Sequence, residues 1–428
     1  MSKVSCVVSA PVDTYSGYGA RSRDFVRALI ESQPEWDIKI LSQRWGNTRK
    51  GYLADHGDNL LTSRIVPGLN AQPEVWIQIT IPNEFQQVGK FNIGVTAGIE
   101  TTICDPTWIQ GCNRMNLVLV SSNHAKETFL RSVFQVNDPN TGQPTGTLQL
   151  TAPMEVVFEG VDTAVYKKLD KVKFDLSSVK EQFCFLTVGH WMQGQFGHDR
   201  KNIGYTVKAF LETFKNKENA PALLLKTQQS TSSIMDREAI LDKIDFIRKS
   251  VKGRLPNVYL LHGDITDEEM NELYNHPKVK GMVSLTKGEG FGRPLLEFAS
   301  IGKPIIASGW SGHMDFLNKE LTLLVEGTLE NVHESATVKN MILKESQWFR
   351  PDDGQVGMSF RRMFEKYKDV SVLGKRQAYH VLNGFTYEHM RDLMQQIVAR
   401  YVPEFPKQVQ LKLPQLKKIE LPKLKKVE

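Results

Sequence analysis

Residues 284–297 read SLTKGEGFGRPLLE, and both the fold and the function turn on this stretch. An apolar strand end runs into Gly288, Gly290 and Gly292, and Pro294 then stands where a helix would begin. Pro suits a first helical turn, where its missing N–H would have no partner anyway. Glycines let backbone N–H groups approach a ligand closely, and the helix start that follows favours an anion. Glu289 and Glu297 flank the element with seven residues between them. A carboxylate can accept hydrogen bonds from both hydroxyls of a ribose, while a loop glutamate and loop amides would face a sugar. The bland alternative is a Gly-rich strand-to-helix turn with a solvated glutamate at each end.

Outward from this stretch, both halves of the chain alternate short β-rich runs with helical patterns, which predicts parallel sheets with crossover helices. In the first half the predicted strands are Val4–Val8, Ile38–Leu41, Val75–Ile79, Phe91–Val95, Leu117–Val120 and Met154–Phe158. The loop Tyr15–Gly19, with Gly17 and Gly19, precedes a helix whose apolar positions are Phe25, Val26, Leu29 and Ile30. Another helix is expected after Ser121-Ser122-Asn123, which are capping residue types. Between Val136 and Ala152 the composition turns to Asn, Pro, Gly, Thr and Gln, which predicts a surface loop or hairpin. Residues 168–182 read as a linker. Beyond it, strands are predicted at Cys184–Val188, Ala222–Lys226, Val258–Leu261, Gly281–Ser284 and Ile305–Ala307, the last closing the run. Helices over 203–214, 235–251, 267–274 and 295–300 separate them, and the pattern after about residue 357 is helical to near Tyr401. The expectation is an α/β protein of two Rossmann-like domains facing a cleft, 1–170 and 178–384, with a helix in 385–404 packing back on the first. Such folds bind ligands at the carboxyl ends of their strands.

At 428 residues the chain suits two domains of usual size. Forty per cent apolar and 24 % charged residues exclude a disordered chain, and no run approaches the roughly 20 apolar residues needed to cross a bilayer. The apolar run after Lys3 is too short for a secretory segment and reads as a buried strand. Cys6, Cys104, Cys112 and Cys184 lack metal-type spacing and read as buried thiols, which predicts a reducing, cytoplasmic setting. The formal charge of +6 is concentrated at one end: residues 405–428 hold seven lysines and two glutamates. The body is close to neutral, so the basic balance marks no nucleic-acid face there. That tail repeats LPQLKKIE as LPKLKKVE, and its prolines forbid one long helix, so an extended appendage is expected. Its lysines could attract DNA or an anionic membrane surface, its apolar positions could dock on a protein, and it could be merely solubilising. Few aromatics in it argue against reading bases. No Ser-His-Asp order, zinc spacing or P-loop is present.

Taken together, these residues resemble the retaining glycosyltransferases of family 4, whose architecture of two Rossmann-like domains is called GT-B. The family's E-x7-E signature is met by Glu289 and Glu297, with Gly290-Phe291-Gly292 between them. The resemblance implies that Glu289 and the adjacent backbone contact the donor sugar and that Glu297 holds the ribose. VVFEGVDTAVY (156–166) is similar to the family's entrance to the interdomain linker. HGDITDEEMNELY (262–274), which includes Ile265, is similar to the segment lining the nucleobase pocket. Gly302–Ser308 is similar to the strand after the signature helix, and Ser16–Gly19 to the Gly loop near the diphosphate. The family pairs an Arg and a Lys against the diphosphate. Lys201 matches the Lys, but His190 stands where the Arg is expected, so either Arg200 takes over or the loop Trp191–Asp199 is rebuilt. Arg200 and Lys201 could also be ordinary helix-start charges. Glu100, in GVTAGIETT (94–102), could orient an acceptor hydroxyl or be a plain exposed loop residue. His124 and His313 read as structural rather than catalytic.

What the resemblance implies is retaining transfer from a nucleotide sugar, UDP- or GDP-linked, to an acceptor hydroxyl, with no cofactor and no metal required. The acceptor is open between a polysaccharide or lipid-linked glycan, a protein and a modified DNA base. The rival is a catalytically silent GT-B shell that binds glycan or nucleotide within a larger assembly. A phosphorylase or epimerase of the same architecture would need signatures that are not present.

Overall fold

The structure is a computed structural model, and it describes residues 3–191, 194, 196–229 and 232–406. Five runs rich in Val, Ile and Leu form β1 (Val4–Ala10), β2 (Trp36–Ser42), β3 (Val75–Ile79), β4 (Phe91–Thr96) and β5 (Leu117–Val120). The polar segment after them is a hairpin of β6 (Phe134–Asn137) and β7 (Pro144–Leu148), and β8 (Met154–Val156) completes the sheet. Its order is β2-β1-β3-β4-β5-β8 with every pairing parallel. The second sheet repeats the plan with β9 (Cys184–Val188), β10 (Ala222–Lys226), β11 (Val258–Leu261), β12 (Val279–Ser284), β13 (Ile305–Ser308) and β14 (Leu323–Val325). Its order is β11-β10-β9-β12-β13-β14, again all parallel.

Helices cover both faces of each sheet, so the central strands read as continuous apolar runs without alternation. Leu117–Val120 is buried at all four positions, and so are Cys184–Thr187. The four cysteines are free and buried. No helix among the described residues is long and apolar enough to cross a membrane. The repeat at 413–428, and nearly all of the basic tail, lies outside the described residues.

Two features correct the expected layout. Ile305–Ala307 does not close the run of strands, because β14 adds an edge to the second sheet. Three residues of LLV are too short to announce a strand by pattern. After it comes an antiparallel hairpin of β15 (Gly327–Asn331) and β16 (Gln347–Pro351). This hairpin reaches the first lobe: Gln347 N–H donates to Thr102 Oγ1 and the Thr102 N–H to the Gln347 carbonyl, both at 2.9 Å. Trp108 Nε1 donates to the Asn340 carbonyl at 2.9 Å, and Met341 and Ile342 pack beside Trp108 and Phe129.

The chain crosses between lobes at 157–166 and again at 385–387. The crossings run side by side, with Val161 N–H donating to the Phe385 carbonyl and Tyr387 N–H to the Val161 carbonyl, each at 2.9 Å. The helix Tyr387–Tyr401 then buries Met390, Met394, Ile397 and Val398 in the core of the first lobe, against the helix Gly17–Ser32. Gly160 makes this crossing possible, since a Cβ there would lie 2.4 Å from the Thr386 carbonyl oxygen. Gly160→Ala should therefore destabilise the protein by about 1–3 kcal/mol through overpacking, read as a lower urea midpoint. An unchanged midpoint would show that the crossing can spread at no cost.

Candidate active site

In each sheet the strand order reverses beside the first strand. The chain leaves β9 outward through β10 and β11, then returns to the other side as β12. A crevice opens at the carboxyl ends of strands flanking such a reversal. The segments found there are Gly189-His190 after β9 and Leu285–Gly292 after β12, with Ala97–Glu100 after β4 facing them from the first lobe.

Local turns place the charged groups. The helix Ile203–Phe214 starts from Asn202, which is left-handed at φ 56°, and Asp199 Oδ2 accepts from the Ile203 N–H at 3.1 Å. The reversed backbone turns the Arg200 carbonyl toward the loop after β12, where it accepts from the Lys287 N–H at 2.8 Å. Lys201 Nζ thereby lies 2.6 and 2.8 Å from the two carboxylate oxygens of Glu289. Arg200 Nη1 donates to the Gly288 carbonyl at 2.9 Å, and stands 3.4 Å from Glu289 and 3.2 Å from Glu100. The structure thus joins Lys201, Glu289, Arg200 and Glu100 in one network across the two lobes. Neither cation is an ordinary helix-start charge, and Glu100 is not a free surface glutamate.

Burial alone would push the Glu289 carboxyl up, yet the Lys201 ammonium and then the Arg200 guanidinium hold it down at about 2. Burial also opposes the charge on Arg200, but Glu100 and Glu289 keep it above its ordinary value. His190 is exposed beside this cluster. Partial withdrawal from water, and then the charges of Lys201, Lys226 and Arg200, lower its pKa.

Glu297 behaves differently. It lies on the helix Arg293–Ser300, where Arg293 Nε donates to it at 2.9 Å and the Tyr274 hydroxyl at 3.2 Å. Burial raises its pKa to about 7 despite Arg293, and Asp267 adds to the rise. Arg293 also bonds Asp24 on the helix Gly17–Ser32 of the first lobe at 2.5 Å, so one guanidinium spans both lobes. The spacing of Arg293 and Glu297 at i, i+4 was visible in the sequence. Tyr274 ends the stretch 262–274 singled out in the sequence, but its bond to Glu297 was not legible there, and Asp24 carried no signal.

The glycines of the loop have a role that the sequence did not suggest. An added Cβ on Gly288 would lie 2.1 Å from the Glu100 carbonyl oxygen, and one on Gly290 would lie 2.7 Å from that of Ala97. They admit the other lobe's backbone. Gly292 alone needs glycine for its conformation, with φ 97° at the start of the helix. Ser122 Oγ donates to the Gly290 carbonyl at 2.6 Å, which ties the first lobe to the same loop. Phe291 is buried in the second core, beside Phe316. Gly19 is also a packing residue, because a Cβ there would meet the Thr14 carbonyl oxygen at 2.2 Å, and its N–H bonds the capping Ser16. Gly17 faces open space. Ile265 is half-buried at the rim of the second core.

No family model matches the chain, and no curated protein sequence is a match. Solved structures are similar over nearly the whole length. Sucrose-phosphate synthase from Thermosynechococcus elongatus has a TM-score of 0.60 at 13 % identity, over 93 % of this chain and 99 % of that one. The Anabaena protein HepE, in complex with UDP and glucose, has a TM-score of 0.57 at 11 % identity, over 93 % and 100 %. A UDP-forming trehalose-phosphate synthase from Burkholderia xenovorans has a TM-score of 0.59 at 9 % identity, over 94 % and 100 %. At such identities the likeness establishes the fold, which is the GT-B architecture of glycosyltransferases.

The network has a pH signature. Glu289 titrates at about 2 when folded, against an ordinary 4.5, so its ion pairs stabilise fully above about pH 4.5. That stability is lost as the pH falls toward 2. Lys201→Met should therefore cost roughly 3 kcal/mol near neutral pH, and the cost should shrink as the pH falls from about 4.5 toward 2. Melting temperatures of the two proteins across that range test this, and a cost independent of pH would contradict it.

Proposed function

We propose that the chain is a retaining glycosyltransferase that moves a sugar from a UDP- or GDP-sugar to an acceptor hydroxyl. The observation that carries this reading is the Lys201–Glu289–Arg200–Glu100 network at the carboxyl ends of β9, β12 and β4. The two cations are held by the Glu289 carboxylate. A diphosphate would compete for them, and charge building on the leaving phosphate would be met by Lys201 and Arg200. Glu289, released from its partners, would face the sugar, and the loop amides beside it would hold sugar hydroxyls. Glu297 would take the ribose diol, exchanging Tyr274 for ribose hydroxyls while Arg293 favours its ionised form. Gly17 and Gly19, at the start of a helix, would border the diphosphate.

The chemistry needs no protein nucleophile. The bond from the anomeric carbon to the leaving phosphate oxygen breaks as the bond to the acceptor oxygen forms on the same face. The acceptor proton passes to that phosphate oxygen. Glu100 would position the acceptor hydroxyl through Arg200. The protein's contribution is placement and preorganised charge, in a cleft from which lobe closure expels water.

Purified protein with a panel of UDP- and GDP-sugars, followed by mass spectrometry of glycan, protein and DNA acceptor pools, tests the reading. Lys201→Ala and Glu289→Ala should each lower transfer by about 10²–10³-fold while the protein stays folded. Full activity in either would end the assignment, and nucleotide binding without transfer or hydrolysis would favour a silent binding module. A second expectation concerns His190, whose pKa lies below its ordinary value. A bound diphosphate would raise it, so donor binding takes up a proton and tightens as the pH falls through the ordinary imidazole range at about 6.5. His190→Arg should flatten this dependence in titrations across that range.

A further inference from the structure

Two histidines flank the loop Glu289–Gly292, one from each lobe, and each keeps a ring nitrogen without a partner. His313 is fully buried behind the loop, with its Cβ placed so that an added Cβ on Gly292 would approach it to 3.0 Å. Its Nε2–H donates to the Ser308 carbonyl at 2.7 Å, which leaves Nδ1 as a lone-pair acceptor. That Nδ1 is buried and has no hydrogen-bond partner. His124 comes from the first turn of the helix Asn123–Arg131, with its ring edge-on to Trp310 at 4.7 Å. The Ile99 backbone engages one of its ring nitrogens, while Nε2 is buried with no partner. Ser122, two residues before it, bonds the Gly290 carbonyl, so His124 lies within a helical turn of the donor loop.

Burial holds both rings neutral: it lowers His124 to about 4, with His313 nearby adding to the shift, and it lowers His313 as well. Two lone-pair acceptors therefore lie near the loop that carries Glu289. A buried polar atom without a partner is uncommon in native structures and calls for an explanation, which a ligand can supply. A bare imidazole nitrogen repels a phosphate or carboxylate oxygen and suits an O–H donor. A sugar presents several such donors. The backbone of Ala97–Glu100 lies against Gly288 and Gly290. A sugar that parts these loops would lie against Glu289–Gly292, whose carbonyls are bonded by Ser122 and Gly312, residues one or two positions from each ring.

We infer that His124 Nε2 and His313 Nδ1 accept hydrogen bonds from hydroxyls of the transferred sugar, one from each lobe, and so select the donor. The inference rests on the proposed reading of the cleft as a sugar-nucleotide site. A site with buried acceptors discriminates strongly against an analogue that lacks the matching hydroxyl, because the acceptor is then left unpaired.

The test is calorimetric titration of the full chain with UDP, GDP, UDP-glucose, UDP-N-acetylglucosamine and GDP-mannose. His124→Leu deletes one acceptor, and His313→Gln deletes the other while keeping an N–H for the Ser308 carbonyl. Each should weaken the best-bound sugar nucleotide by about five- to tenfold, and change the bare nucleoside diphosphate by less than about twofold. His124→Gln, which returns an acceptor near the Nε2 position, should recover most of the loss. Equal weakening of diphosphate and sugar nucleotide, or no weakening, overturns the assignment. Should His313→Gln fail to fold, the two His124 variants decide alone. Wild-type protein that binds none of the five compounds would instead overturn the reading of the cleft itself.

Discussion

Glu289 carries a charge in a place where water cannot serve it. It is 6 % exposed, and an isolated carboxylate at that depth would protonate rather than stay charged. Lys201 and Arg200 prevent this, and the structure around them is arranged to bring them there. Asn202 takes a left-handed conformation so that the chain can turn from Arg200 and Lys201 into a helix. The Arg200 carbonyl is tied to the same loop that carries Glu289. Because Arg200 also pairs with Glu100, the charge balance of the second lobe is completed by the first.

Closure of the two lobes follows from that arrangement. The loop after β12 accepts the backbone of Ala97 and Glu100 at contact distance because Gly288 and Gly290 lack side chains. Arg293 spans from Glu297 to Asp24, and the β15–β16 hairpin bonds Thr102 while Phe349 N–H donates to the Lys287 carbonyl. A ligand admitted here has to replace protein–protein contacts with its own.

Much of the architecture was legible because parallel strands buried on both faces leave long apolar runs. Eleven of the strands that build the two sheets coincide with such runs, and only β14 escaped notice. The hairpin of β15 and β16 escaped as well, since its strands are largely polar and its value lies in what it touches. The site was legible in part. Glu289, Lys201, Arg200 and Glu100 come together as one cluster, yet their pairing with one another was not foreseen. His190 does stand near the two cations, exposed, with its charged form disfavoured by partial burial and by their charge.

The sequence by itself determined the alternation of strand and helix, the Gly-rich turn with its two carboxylates, and the residue types around the cleft. These are local properties: side-chain periodicity, a proline at a helix start, and the spacing of charges along one segment. Tertiary structure alone decided which charges meet, because Glu100 lies 100 residues from Arg200 and Asp24 lies 269 from Arg293. It also changed the meaning of the glycines, from residues that admit a ligand to residues that admit the opposite lobe. The physical reason is that burial and ion pairing depend on what the fold brings within a few ångströms, which no single segment records.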